Sequence, residues 1–302
     1  MAVKRITYIV LATLLLCSSC LKEEYPDNAF EEQLVVEGSI EQGGVAKVML
    51  SLNMQHSEKI SEESMRARIV RYAIVSITDE TDSENIRSEQ LTCRMDKKYP
   101  TQFVYMGASI IGKVGGKYRL DIEYSGRKWS ATTTIPEPNK LYDITTEFVG
   151  KMYRVKAKIK PNADNLPYMV QCQTAFTDED RPLYLPPALF GIIESCEQET
   201  TITINRPLDY ENIREYSTLF LVYEDVYIRF CTMSHFGYRY WSIWENCTLN
   251  SLNPVFPVDE VPPTNIREIT EDGSPGKAAG IWQGYGVSYY YVVPDLNNRP
   301  KN

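Results

Sequence analysis

The chain has two histidines, His56 and His235. They lie far apart in sequence, and neither falls in a metal-binding helix motif, so a zinc hydrolase is not expected. No nucleophile-elbow pattern accompanies any serine. Gly112-Lys113-Val114-Gly115-Gly116 lacks the Gly-Lys-Ser/Thr ending of a phosphate loop and precedes a strand instead of a helix. Asp178-Glu179-Asp180 offers carboxylates for a cation or for acid–base work, but it reads first as an exposed acidic loop. Asp295 to Asn298 is similar and too short for a calcium loop. The expectation is a chain that is not an enzyme and that takes no cofactor or metal. If it binds anything, tyrosine is the residue to follow, because Tyr is abundant (21 residues) and suits both half-buried strands and binding surfaces. The candidates for contact with a ligand or partner are Tyr285, Tyr289, Tyr290 and Tyr291, or Tyr184 with its neighbouring prolines. Strand core is the competing reading for the same tyrosines.

Cysteine chemistry starts at the N-terminus. Lys4 and Arg5 precede a nearly apolar run from Ile6 to Cys17, and the small Ser18 and Ser19 lead to Cys20. This arrangement resembles a bacterial lipobox, with residues 1–19 as the signal peptide and Cys20 as the lipidated residue. Cys17 stands where leucine is usual. The alternative is a soluble secreted protein whose Cys20 pairs elsewhere. Several acyl chains, each adding about 0.8 kcal/mol per buried CH₂, would anchor the chain stably in outer-membrane lipid. Lys22-Glu23-Glu24 resembles the Lys-acidic-acidic signal that sends Bacteroidetes lipoproteins to the outer face of the outer membrane; a charged, solvated tether over residues 20–32 is the alternative.

Removing residues 1–19 takes two basic residues and no acidic one, so 32 basic residues fall to 30 against 40 acidic, a balance of −10. That balance excludes nucleic acid as a natural partner and gives no electrostatic hold on anionic lipid. No second apolar run is long enough for a transmembrane helix. Cys93, Cys172, Cys196, Cys231 and Cys247 remain after Cys17 and Cys20. Five is odd, so at least one thiol is free or pairs between chains. Cys172 with Cys196 and Cys231 with Cys247 are local disulfide pairings open to an exported protein; five small buried hydrophobes are the alternative.

The elements that would position these residues are mostly β. Val48, Leu50 and Leu52 alternate with Lys47, Met49 and Ser51, the period of a half-buried strand. Tyr118, Leu120, Ile122 and Tyr124 alternate with charged residues up to Ser125-Gly126, a two-residue hairpin turn, and Pro136-Glu137-Pro138 stops the return strand. Residues 33–138 read as an N-terminal β-sandwich of immunoglobulin-like or transthyretin-like type. Residues 139–302 read as a second β-rich domain. A hairpin across Gly150-Lys151 opens it, and Arg154, Lys156 and Lys158 form a positive row suited to a solvent face or an edge strand. Asp178 to Leu189 reads as a Pro-rich loop. One short amphipathic helix is expected near 235–247, with Ser234 as N-cap. Phe236, Tyr240, Ile243, Trp244 and Cys247 form its apolar stripe, and Arg239, Ser242, Glu245 and Asn246 lie opposite.

Five stretches carry a resemblance over most of the chain beyond the signal. They are Leu34-Val35-Val36-Glu37-Gly38, Gly116-Lys117-Tyr118-Arg119-Leu120, Thr132 to Pro138, Pro263-Thr264-Asn265-Ile266 and Gly280-Ile281-Trp282-Gln283-Gly284-Tyr285. Their order and spacing resemble the domain-of-unknown-function 4249 family of Bacteroidetes outer-membrane lipoproteins. Arg267-Glu268 departs from the small residues expected after Asn-Ile. The resemblance implies no reaction and no catalytic residues. It implies a partner, a TonB-dependent outer-membrane barrel, and hence an accessory role in nutrient capture at the cell exterior. A structural or adhesive envelope lipoprotein with no small ligand is the alternative function.

Overall fold

The computed structural model describes residues 31–54, 61–96, 99, 101–175, 184–207, 218–250, 260–270 and 277–295. Cys20, the tether through residue 30, His56, Asp178-Glu179-Asp180 and Asn298 lie outside the described residues. The fold is mostly β, and the described residues form three sheets. The largest has eight strands in the order β12 (Pro187–Ile193), β11 (Tyr168–Ala175), β15 (Asp225–Thr232), β17 (Ala278–Val292), β1 (Leu34–Glu41), β2 (Val45–Leu52), β6 (Phe103–Ile111) and β5 (Thr92–Met95). A second sheet has five strands in the order β16 (Arg267–Glu268), β8 (Arg127–Thr134), β7 (Lys117–Tyr124), β3 (Ile74–Asp79) and β4 (Arg87–Gln90). The third comprises β13 (Thr200–Ile204), β10 (Met152–Ile159), β14 (Phe220–Leu221) and β9 (Leu141–Val149).

Each smaller sheet covers half of one face of the large sheet. Under the five-stranded sheet, Leu34, Val36, Ile40, Val48 and Leu50 meet Val75, Ile77, Tyr118, Leu120, Ile122 and Trp129. Under the four-stranded sheet, Tyr168, Val170, Ile228 and Phe230 meet Tyr153, Val155, Ala157 and Ile159. The result is two β-sandwich layers that share one sheet, and the strand they share is β17. Its first half pairs parallel with β1, from Ala278 opposite Leu34 to Tyr285 opposite Glu41. Its second half pairs antiparallel with β15, from Gly286 opposite Thr232 to Val292 opposite Val226. A division of the chain at residue 138 therefore does not separate the sheets: the N-terminal sandwich takes β16 and half of β17 from the C-terminal part.

Glycine makes the sharing feasible. The connector from the second sheet to the third crosses β17 so closely that a Cβ at Gly284 would lie 2.3 Å from the Thr134 carbonyl oxygen, and one at Gly286 would lie 2.4 Å from that of Pro136. The Gly284 amide donates to Thr133 Oγ1 at 2.7 Å. Where β17 pairs only with β1, Asn265 closes its other side: Trp282 N donates to Asn265 Oδ1 (3.0 Å), and Asn265 Nδ2 donates to Trp282 O (2.8 Å). The β7–β8 hairpin forms as read, with Ser125 at φ 51° and Gly126 at φ 76°, the pair of positive values its two-residue turn requires.

Two helices lie among the described residues. Helix α1 (Glu62–Ala67) is one short exposed turn capped by Ser61. Helix α2 (His235–Asn250) starts where expected and runs to Asn250. Ser234 Oγ accepts from Gly237 N at 3.1 Å, as its N-cap role demands. The buried side of α2 is rotated from the stripe read in the sequence: Gly237, Tyr240, Trp241, Ile243 and Glu245 are its buried residues. Glu245, placed on the polar side by its charge, turns inward because its Oε1 accepts from the Phe190 amide of β12 at 2.7 Å. The Pro-rich stretch ending at Leu189 also changes state, since Pro187 to Leu189 begins β12. That strand is the edge of the large sheet, where a missing N–H is tolerated. The positive row on β10 lies on a solvent face of a central strand, and Glu147, Asp143 and Glu199 pair with it.

Candidate functional site

Strand alternation determines what the uncovered face of the large sheet presents. On β1, Gly38 and Ile40 point into the sandwich, so Glu37, Ser39 and Glu41 point out. On β17, Trp282 points in, so Ile281, Tyr285 and Tyr289 point out. Register then aligns the outward set. Gln171 of β11 is opposite Arg229 of β15, Arg229 is opposite Tyr289, Glu41 is opposite Tyr285, and Ser39 is opposite Lys47 of β2.

Two apolar clusters stand on this face. Helix α2 sits over one, where Tyr240 and Trp241 pack with Met169, Cys231, Ile281, Tyr285 and Val287. Tyr99 and Tyr184 cover Met49 and Val104 in the other. Between them is a cavity of about 320 Å³, bounded by both clusters and by Glu37, Ser39, Glu41, Lys47, Gln171, Tyr227 and Arg229. That volume is at the lower end of small-molecule sites, and the mixture of aromatic walls with a few polar groups is typical of them.

Arg229 holds the polar end together. Its Nε and Nη2 donate to Glu41 Oε2 at 2.9 and 2.6 Å, and Nη1 donates to Gln171 Oε1. Its guanidinium lies 5.0 Å from the Tyr285 ring centre, a cation–π contact. The Tyr289 hydroxyl donates to Glu41 Oε1 at 2.7 Å. Burial alone would raise the Glu41 carboxyl, but the Arg229 charge and the Tyr289 and Arg229 hydrogen bonds outweigh it and hold it below its ordinary value. Lys47 is pushed down by burial, partly offset by the Glu41 charge.

Glu37 is different. Its Oε1 accepts from the Tyr184 hydroxyl at 3.2 Å, and among the described residues that is its only hydrogen bond. Burial raises its carboxyl from 4.5 to about 6, with the Tyr184 hydrogen bond opposing. Burial, reinforced by the Glu37 charge, pushes the Tyr184 hydroxyl far up as well. Tyr285 is held rigidly, because Trp241 Nε1 donates to its hydroxyl at 2.8 Å.

The four tyrosines read from the sequence therefore separate. Tyr285 and Tyr289 line the cavity. Tyr291 lies beside it and contacts Tyr227, with ring centres 4.6 Å apart. Tyr290 points to the opposite face, where its hydroxyl accepts from Leu141 N at 2.7 Å inside the second sandwich. Tyr184, the other tyrosine read as a contact residue, also lines the cavity. Sequence reasoning missed Glu37, Glu41, Lys47 and Arg229. Their one visible signal was charge at outward positions of otherwise apolar strands, which normally means solvent.

No disulfide forms among the five described cysteines. Cys172 points into the second sandwich and its Sγ donates to Asn205 O at 3.1 Å. Cys196 lies at the edge of the same core. Cys231 is on the other face, under α2, while Cys247 Sγ donates to Glu260 O at 3.2 Å. Cys172–Cys196 and Cys231–Cys247 are thus not paired, because each thiol is turned to a separate contact. Among the described residues no group of His, Cys, Asp and Glu is placed to hold a metal ion, and no helix is long and apolar enough to cross a membrane.

The family model described as Domain of unknown function (DUF4249) matches residues 22–285. No curated protein matches the chain.

Proposed function

The chain belongs to the DUF4249 family, and from that premise we propose that it is a non-enzymatic binding protein, anchored through acylated Cys20 to the outer membrane and facing the cell exterior. There it captures a small nutrient and works with a TonB-dependent outer-membrane barrel. The observation that carries this reading is the cavity between the two outward clusters. It is walled by Tyr99, Tyr184, Trp241, Tyr285 and Tyr289 and carries a fixed Arg229–Glu41 pair. Aromatic walls with a few oriented polar groups supply affinity and orientation without a reaction. Arg229 and Glu41 hold each other instead of being poised as an acid and a base in mutual reach of a nucleophile. The acidic balance of the chain suits a surface exposed to medium more than one adhering to anionic lipid.

The test is a mild-detergent pull-down of the tagged protein from its own membranes, with mass spectrometry of what accompanies it. A stoichiometric TonB-dependent barrel is the expected result. Recovery of the lipoprotein alone, under conditions that preserve known complexes, overturns the transport role and leaves the structural or adhesive function.

A further inference from the structure

We infer that the cavity on the outward face selects ligands bearing an ammonium group, held by the Glu37 carboxylate against the rings of Tyr184, Tyr285 and Trp241. The inference rests on the reading of this cavity as a ligand site and specifies the chemistry it takes.

The charges in the cavity are not equivalent. Arg229 is neutralised and engaged: Glu41 takes two of its five N–H donors, Gln171 takes a third, and Tyr285 covers its face. Glu41 is likewise occupied on both oxygens, by Arg229 and by Tyr289. Lys47 stands beside Ser39 on the neighbouring strand, where the Glu41 charge acts on it. Only Glu37 has an oxygen without a donor among the described residues, and the single bond to its other oxygen, from Tyr184, is long at 3.2 Å. A part-buried carboxylate with one neutral partner has lost water and gained no counter-charge. An incoming cation with N–H donors supplies both.

The surroundings favour a cation on separate grounds. An aromatic face is an electron-rich surface that attracts ammonium groups, more strongly when water is excluded. Tyr184, Tyr285, Tyr99 and Trp241 all border the same cavity as Glu37. The Trp241–Tyr285 hydrogen bond and the Tyr99–Tyr184 contact, with ring centres 6.0 Å apart, fix the walls before any ligand arrives. Preorganised walls reduce the ordering cost of binding. An anionic ligand would meet an Arg229 whose charge Glu41 already neutralises, and the Glu37 charge would oppose it.

The experiment is a calorimetric titration of the detergent-solubilised full-length protein with three probes of matched size: phenethylammonium, 2-phenylethanol and 3-phenylpropionate. The expected order places phenethylammonium first, by about tenfold or more over the neutral probe. Glu37→Gln is expected to bring the affinity for phenethylammonium down to about that for 2-phenylethanol in the same variant. Equal or tighter binding of 3-phenylpropionate, or an ammonium preference that survives in Glu37→Gln, overturns the inference while the cavity remains a ligand site. No binding of phenethylammonium at millimolar concentration overturns it as well. The wild-type selectivity decides the question even if the variant folds poorly. Loss of the barrel from the pull-down, with the ammonium preference intact, would instead contradict the transport role alone.

Discussion

The two faces of β1 and β17 carry opposite chemistry over the same few residues. Inward, Gly38 leaves room for Trp282: a Cβ there would lie 2.8 Å from Trp282 Cε3, and the indole N–H donates to Tyr118 O at 3.1 Å. Outward, between the same backbones, stand Glu37, Ser39 and Glu41 with Tyr285 and Tyr289. The inward face is a seam that joins two sandwiches. The outward face holds part-buried charge that is compensated at Glu41 and Arg229 and, at Glu37, opposes folding. Successive side chains of a β-strand point to opposite faces of the sheet, so one strand pair serves both roles. The inward face should therefore carry stability through packing, and the outward face through the balance of its charges.

That separation can be broken most forcefully from the inside. Trp282→Ala empties the site where Gly38, Tyr118 and the crossing connector meet, and should cost about 3–5 kcal/mol in chemical denaturation. A cost comparable to a surface change would mean that β17 is not the joining strand. Arg229→Met is the matching change outside. It leaves Glu41 part-buried with only Tyr289, and should cost about 3 kcal/mol. It should also make the loss larger at neutral pH than at acid pH, because protonated Glu41 needs no counter-charge. The Glu41 carboxyl is depressed in the fold, so its stabilising contribution is present above its unfolded value and disappears as pH falls through the folded one.

Glu37 should behave in the opposite sense. Its carboxyl rises from 4.5 to about 6 on folding. The folded state therefore binds the proton more tightly, and stability falls as pH rises from about 4.5 through about 6. Glu37→Gln removes this penalty and should gain roughly 1–2 kcal/mol at pH 7 with a flatter pH profile. Unfolding curves from pH 4 to pH 8 read both effects, and a variant less stable than wild type at pH 7 would sink the assignment. The smallest effect belongs to the positive row on β10. Lys156→Ala breaks an exposed pair with Glu147 and should leave the denaturation midpoint unchanged within error.

Much of the seam was legible in the sequence because it is built from local signals. The β7–β8 hairpin declared itself through alternation and Ser125-Gly126. The five stretches that carried the family resemblance turn out to meet in space. Val36 lies opposite Gly280, Gly38 opposite Trp282, Asn265 on the far edge of Trp282, and Thr133 and Thr134 across Gly284. Glu268, the departure from that pattern, pairs with Arg127 through two hydrogen bonds of 2.5 and 2.7 Å and ties β16 to β8. What was not legible depends on distant pairing. A parallel β1–β17 contact across the length of the chain leaves no periodic trace, so the two parts looked like independent domains. The cavity was hidden for the same reason: Glu37, Lys47 and Arg229 look solvent-exposed until α2 and Tyr184 are placed over their face. The buried side of α2 was misjudged because Glu245 was assigned by charge, whereas its partner is a backbone amide of an edge strand.

The central claim is that the outward cavity holds a small ligand, and native mass spectrometry tests it directly. The protein would be released in mild detergent from its own membranes and compared with Ser39→Trp, which fills the cavity floor without touching the inward seam. The account predicts a small-molecule adduct on the wild-type protein that is missing from Ser39→Trp, with both proteins unfolding at the same midpoint once stripped of ligand. An adduct carried equally by both, or a wild-type protein without one from cells grown in rich medium, would contradict it.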